Sequence, residues 1–149
     1  MTVFVLILIF TGILLLAAKI RVNPLKNFKD NALIATGLTF IFAGVSHFFI
    51  PDTFIKLMPP FVPFPLAMVY VSGIFEILGG IGLIVSKTRR AASYGLILLL
   101  LAVYPANIYV AMENIQLGGF MSNSFYQWFR VVLQIPLIFW VWWMARGEK

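Results

Sequence analysis

Five apolar stretches dominate this chain: Thr2–Ala18, Asn31–Ile50, Pro65–Val85, Ala91–Met112 and Phe125–Ala145. Four of them have the ~20 residues needed to cross a hydrocarbon layer of about 30 Å, and the first lies at the short end of that range. Each breaks at prolines or at short basic connections. A soluble alternative fails on composition, because 62% of the 149 residues are apolar, only 11% are charged, and the mean hydropathy is +0.99. A chain this short cannot hide that much apolar surface in one core. Lipid is the remaining solvent, and in lipid the backbone must satisfy its own hydrogen bonds, which calls for helices. The expected fold is therefore an all-α membrane protein: a four-helix transmembrane bundle over residues 31–146, plus an extra N-terminal transmembrane helix at 1–18.

Charge then orients the spans. The connection 19–30 carries Lys19, Arg21, Lys26 and Lys29 against Asp30, and the connection 86–90 carries Lys87, Arg89 and Arg90. By contrast, 51–64 holds one acid and one base, and 113–124 holds only Glu113. Nine of the eleven basic residues fall on alternate connections or the C-terminal tail, which places those connections in the cytoplasm. Five spans with the N-terminus out and the C-terminus in satisfy this pattern. The first stretch has no basic n-region, and its basic residues follow the apolar run, so it reads as an uncleaved anchor. The net charge of +6 is spent on orientation, and no exposed basic face suited to nucleic acid is visible. The absence of cysteine excludes disulfides, thiolate nucleophiles and Cys-ligated metal centres.

The linker Met58–Pro65 reads MPPFVPFP, with four prolines among apolar residues. It cannot form a regular helix and is too apolar for a free loop, so it is expected to lie flat on the outer interface, as a lid or rim against the bundle.

Polar side chains inside spans are costly and call for an explanation. Six stand out: His47, Ser72, Glu76, Asn107, Arg130 and Gln134. At 1.5 Å per residue they lie about 5 to 16 Å below the outer ends of four different helices, hence in one layer. Helical spacing places Ser72, Glu76 and Gly80 on one face, as it does Thr39, Ala43 and His47, and also Gln127, Arg130 and Gln134. Glu76 and Arg130 are the only acid and the only permanent cation of the layer, so they are expected to pair, with His47 and Asn107 bordering the same pocket. A purely structural polar layer explains each of these residues about as well as a functional one. His47 and Glu76 alone are too few ligands for a metal. Trp128, Trp140, Trp142 and Trp143 read as interfacial anchors, and the Met and Phe residues as packing or lipid contact.

The same positions carry a resemblance. GVSHF at 44–48, PxxFxxxxPPxxPxP at 51–65, SGIFE at 72–76, GGIGL at 79–83 and YPAN at 104–107 resemble the DoxX-like family of small bacterial integral membrane proteins, over about Asn31 to Ala145. The resemblance implies a four-helix membrane bundle in the bacterial cytoplasmic (inner) membrane, and the extra first span departs from it. The family's namesake is a subunit of a thiosulfate:quinone oxidoreductase, so the resemblance implies a link to quinones. The matching positions are His47, Ser72, Glu76 and Asn107, with Arg130 and Gln134 a looser part of the pattern.

Function is expected to be binding of a small apolar ligand with polar ends, a quinone above all. Arg130, Asn107 or His47 would donate to an oxygen and Glu76 would relay a proton. The chain brings no intrinsic electron carrier, so an oxidoreductase role needs bound quinone or a redox partner protein beside the lipid bilayer. The rival is a structural or assembly subunit with no ligand of its own. A small transporter ranks lowest, since no internal repeat is visible.

Overall fold

The structure, a computed structural model, describes residues 28–116 and 122–146. The expected first span at 1–18 lies outside the described residues. Among the described residues every regular element is helical: α1 (Phe28–Phe49), α2 (Pro51–Lys56), α3 (Pro65–Ile84), α4 (Arg89–Glu113) and α5 (Ser124–Ala145). The four long helices match the last four apolar stretches to within three residues. Three of them, α1 from Lys29, α3 and α4, are long and apolar enough to cross a membrane. The fourth, α5, is 22 residues long but carries Gln127, Arg130 and Gln134 in its first half and is not one of those three.

Local chemistry sets the breaks. Pro51 disfavours helix at Ile50, which leaves the helical region (φ −132°, ψ 51°) and ends α1. Pro65 opens α3, where its missing N–H costs nothing. Asn114 closes α4 in the left-handed conformation at φ 47°, which Asn tolerates. At the start of α5 the Asn123 side chain accepts from the Phe125 N–H at 2.9 Å. In the α3–α4 connection, Thr88 Oγ1 donates to the Gly82 carbonyl and Arg89 Nε to the Leu83 carbonyl, each at 3.1 Å, so side chains satisfy the last carbonyls of α3.

The long helices pack in the order α1–α3–α4–α5, each antiparallel to the one before it. Its apolar core joins Ala32, Leu33 and Phe40 of α1, Leu83 of α3, Leu96 and Leu100 of α4, and Leu137, Val141 and Met144 of α5. Most lie toward the start of α1 and the end of α5, while Phe40 and Leu100 sit near the middle of their helices. Trp140 Nε1 closes the ring there, donating at 3.0 Å to Thr36 Oγ1. Trp140 is thus half-buried and hydrogen-bonded to α1 as well as lying near the helix end. Trp142 and Trp143 sit at the helix end beneath cations, with the Arg146 guanidinium 3.8 Å and the Lys29 ammonium 5.5 Å from their rings.

Glycine sets the closest seam. A Cβ on Gly44 would lie 2.5 Å from the Gly73 carbonyl oxygen, and one on Gly80 would lie 2.5 Å from the Gly37 carbonyl oxygen. Gly37 and Gly44 on α1, and Gly73 and Gly80 on α3, are each seven residues apart, so two facing pairs let the backbones touch. Outward-facing Phe42, Phe75, Leu98, Ile135 and Phe139 are each more than half exposed, a spread of apolar surface that lipid accommodates and water does not.

The proline-rich linker departs from expectation. Pro59 is buried and its carbonyl accepts from the Val62 N–H at 3.0 Å, but Phe61 and Phe64 are 77% and 79% exposed. The linker is a turn with its aromatic side chains outward and not a lid. Packing over the polar half falls instead to Phe54 on the short helix α2, whose ring centroid lies 3.8 Å from that of His47.

Candidate functional site

The six polar residues singled out from the sequence lie from the middle of the bundle toward the end away from most of the apolar core, with Gln134 against the Leu100 carbonyl at the core's edge. They form two groups and not one.

The first group lies on the α1–α3 seam. Because Gly44 and Gly73 let the helices touch, His47 reaches across to α3, and its Nδ1 lies 2.9 Å from the Val69 carbonyl oxygen. A carbonyl only accepts, so Nδ1 carries the hydrogen and Nε2 is the ring atom left for a partner. Ser72 Oγ donates to the same carbonyl at 2.9 Å and lies 3.1 Å from Nδ1. Nε2 faces Glu76 Oε2 at 3.5 Å. Two arrangements suit that contact: imidazolium with carboxylate, or imidazole with carboxylic acid. Both hold one proton between the two residues, and both are electrically neutral. The separation is wide for a hydrogen bond, and Oε2 is buried with no hydrogen-bond partner among the described residues.

The second group lies between α4 and α5. Gln134 Nε2 donates to the Leu100 carbonyl at 2.6 Å. Gln134 Oε1 therefore points back and accepts from Asn107 Nδ2 at 2.6 Å. Asn107 Oδ1 is thereby turned toward Arg130 and accepts from its Nη2 at 2.7 Å. Each amide has one orientation that works, so the chain holds the guanidinium from one side only. Pro105 disturbs α4 in this region, since it lacks the N–H that would bond the Leu101 carbonyl.

The expected Glu76–Arg130 pair is not formed: among the described residues no carboxylate lies within ion-pair distance of Arg130, and the ion-pair partner of Glu76 is His47. The reason is the glycine seam. It presses α3 onto α1 at the level of Glu76, whose Cβ lies 3.0 Å from a Cβ built on Gly44, so the carboxylate belongs to the α1 side. Sequence reading missed Phe54, the Val69 and Leu100 carbonyls and the Thr36–Trp140 bond. The seven-residue glycine spacing was the available signal for the seam; backbone carbonyl partners leave none.

A separate groove of about 440 Å³ lies between α3 and α4 in the apolar half, lined by Gly79, Gly82, Ala91, Ala92, Gly95 and larger apolar neighbours. It contains none of the six polar residues.

Among known proteins, a family model described as "Domain of unknown function (DUF8561)" matches residues 36–145, which include all six residues of both groups. No curated protein and no solved structure matches.

Proposed function

The chain belongs to the DUF8561 family, and we propose that it is a multi-pass protein of the bacterial inner membrane that binds a small apolar molecule with a polar end. A quinone is the nearest example. The charge alternation of the connections supports five spans, N-terminus out and C-terminus in, with the polar half of the bundle toward the outer face. The resemblance of GVSHF, SGIFE and YPAN to DoxX-like proteins is what supports the quinone and a redox partner protein.

The observation that carries this reading is that the acid and the cation of the polar half do not neutralise each other. Glu76 faces His47 at 3.5 Å and keeps a buried oxygen, Oε2, without a hydrogen-bond partner among the described residues, while the hydrogen bond that holds Arg130 there comes from Asn107. Polar groups with capacity to spare inside apolar walls are what a ligand site needs and what a purely structural layer has reason to avoid. The test is mass spectrometry of small molecules retained after gentle extraction. A quinone enriched over the bulk lipid extract, and lost in Arg130→Met, is the expected result; a profile identical to bulk lipid in both proteins sinks the reading.

One observation favours the structural rival. Asn107 and Gln134 spend their amides on each other and on the backbone, as a bundle-holding network does. On that reading Arg130→Met changes bundle stability and partner assembly and leaves the retained molecules unchanged.

A further inference from the structure

Charge bookkeeping over the polar half does not close. The His47–Glu76 pair is neutral in either of its one-proton arrangements, so it offers Arg130 no counter-charge. The chain has five acids, and among the described residues none of the others serves: Asp30 lies at the far end of α1, and Asp52 and Glu113 are exposed at the rim and form no ion pair with Arg130. A guanidinium does not lose its proton, and half-buried among apolar helices it leaves a net positive charge at that level. It has five N–H donors, and the described protein engages one of them, Nη2, through an Asn107 oriented from behind by Gln134 and Leu100.

Resting on the ligand reading above and narrowing it, we propose that the site selects amphiphiles whose polar end is an oxyanion, received by the free edge of the Arg130 guanidinium, over neutral molecules of the same shape. The ligand class is an ionised acidic headgroup on an apolar body. An ionised hydroxyquinone, a fatty-acid carboxylate and the phosphate of an anionic lipid share that chemistry. A planar fork with two parallel donors suits all three, and a neutral carbonyl receives less from it because it brings no counter-charge. Asn107 is a positioning residue here: it holds the fork and leaves the other edge open.

The test uses the full chain in an uncharged detergent and matched probes differing in one charge: a 3-alkyl-2-hydroxy-1,4-naphthoquinone against its 2-methoxy twin, and oleate against methyl oleate. Binding is followed by quenching of Trp fluorescence and by native mass spectrometry. Each anion is expected to bind at least tenfold more tightly than its neutral twin. Arg130→Met should erase that preference and Arg130→Lys should keep part of it. The wild-type comparison needs no variant, so misfolding of Arg130→Met leaves the result readable. Phosphatidylglycerol added in nanodiscs separates the sources: if it displaces both anions while phosphatidylcholine does not, a lipid headgroup is the resident anion, and if it does not, a free amphiphile is. Equal binding of the neutral and charged twins overturns this inference and leaves the ligand reading standing. Failure of every probe to bind removes both.

Discussion

Replacing Gly44 with Ala tests the seam on which the His47–Glu76 contact depends. The added methyl would sit 2.5 Å from the Gly73 carbonyl oxygen, 2.8 Å from Ile77 Cγ1 and 3.0 Å from Glu76 Cβ. Non-bonded heavy atoms are comfortable at about 3.5 Å, so α1 and α3 must part by roughly 1 Å at this level. The carbonyl is backbone and cannot rotate away. Overpacking of this kind costs about 1–3 kcal/mol. Better helix propensity of Ala offsets roughly 0.5–1 kcal/mol of it, leaving a net loss between about 0 and 2.5 kcal/mol. Gly95 is the internal control, because a Cβ there meets nothing within 4 Å. Gly95→Ala should stabilise by about 0.5–1 kcal/mol through propensity alone. Unfolding in mixed micelles with a rising SDS fraction, followed by circular dichroism, gives both values. The seam must also carry His47 away from Glu76 as it opens, so Gly44→Ala should weaken ligand retention while Gly95→Ala leaves it intact. A Gly44→Ala protein stabilised as much as Gly95→Ala, or a Gly95→Ala protein destabilised as much as Gly44→Ala, would refute the close approach.

Other perturbations follow from the division into two groups. In a double-mutant cycle, Glu76→Gln and Arg130→Met should add to within about 0.5 kcal/mol, whereas His47→Ala and Glu76→Gln should couple by roughly 0.5–3 kcal/mol; unfolding titrations of each set decide between the two pairings. Asn107→Leu should cost about 1–3 kcal/mol, because it strands both Gln134 Oε1 and the guanidinium, and Asn107→Asp should recover only part of that loss, because it pairs with Arg130 but sets an acceptor against Gln134 Oε1, read in the same assay. Trp140→Phe should lose about 0.5–1.5 kcal/mol, the worth of its bond to Thr36, with little effect on retained ligand; an interfacial Trp would show no such loss. Reporters fused after Lys149 and before Met1 should report the cytoplasm and the outside respectively, and finding both ends on one side would leave four spans.

The helices and their breaks were legible in the amino-acid order because they follow from local rules. Apolar runs of about twenty residues, ended by Ile50-Pro51 or opened by Pro65, leave a chain in lipid no other backbone solution. The depth of the polar residues was legible in part, since rise per residue converts position into depth, but Gln134 lies at the edge of the apolar core against the Leu100 carbonyl. Partner choice was not legible. Glu76 and Arg130 attract on any reading of charge alone, yet which side of α3 faces which helix is decided by packing, and packing is decided where two backbones can touch. Gly44 against Gly73 and Gly37 against Gly80 bring α1 to α3, deliver Glu76 to His47, and leave Arg130 to Asn107 on the other side of the bundle. The linker shows the same limit: its prolines forbid a helix, but whether Phe61 turns in or out depends on the space above the site, and Phe54 lies there against His47. Sequence sets which residues must be explained and at what depth; contact between helices far apart in the chain sets which of them meet, because Coulomb attraction acts only between groups that the close-packed backbones have already brought together.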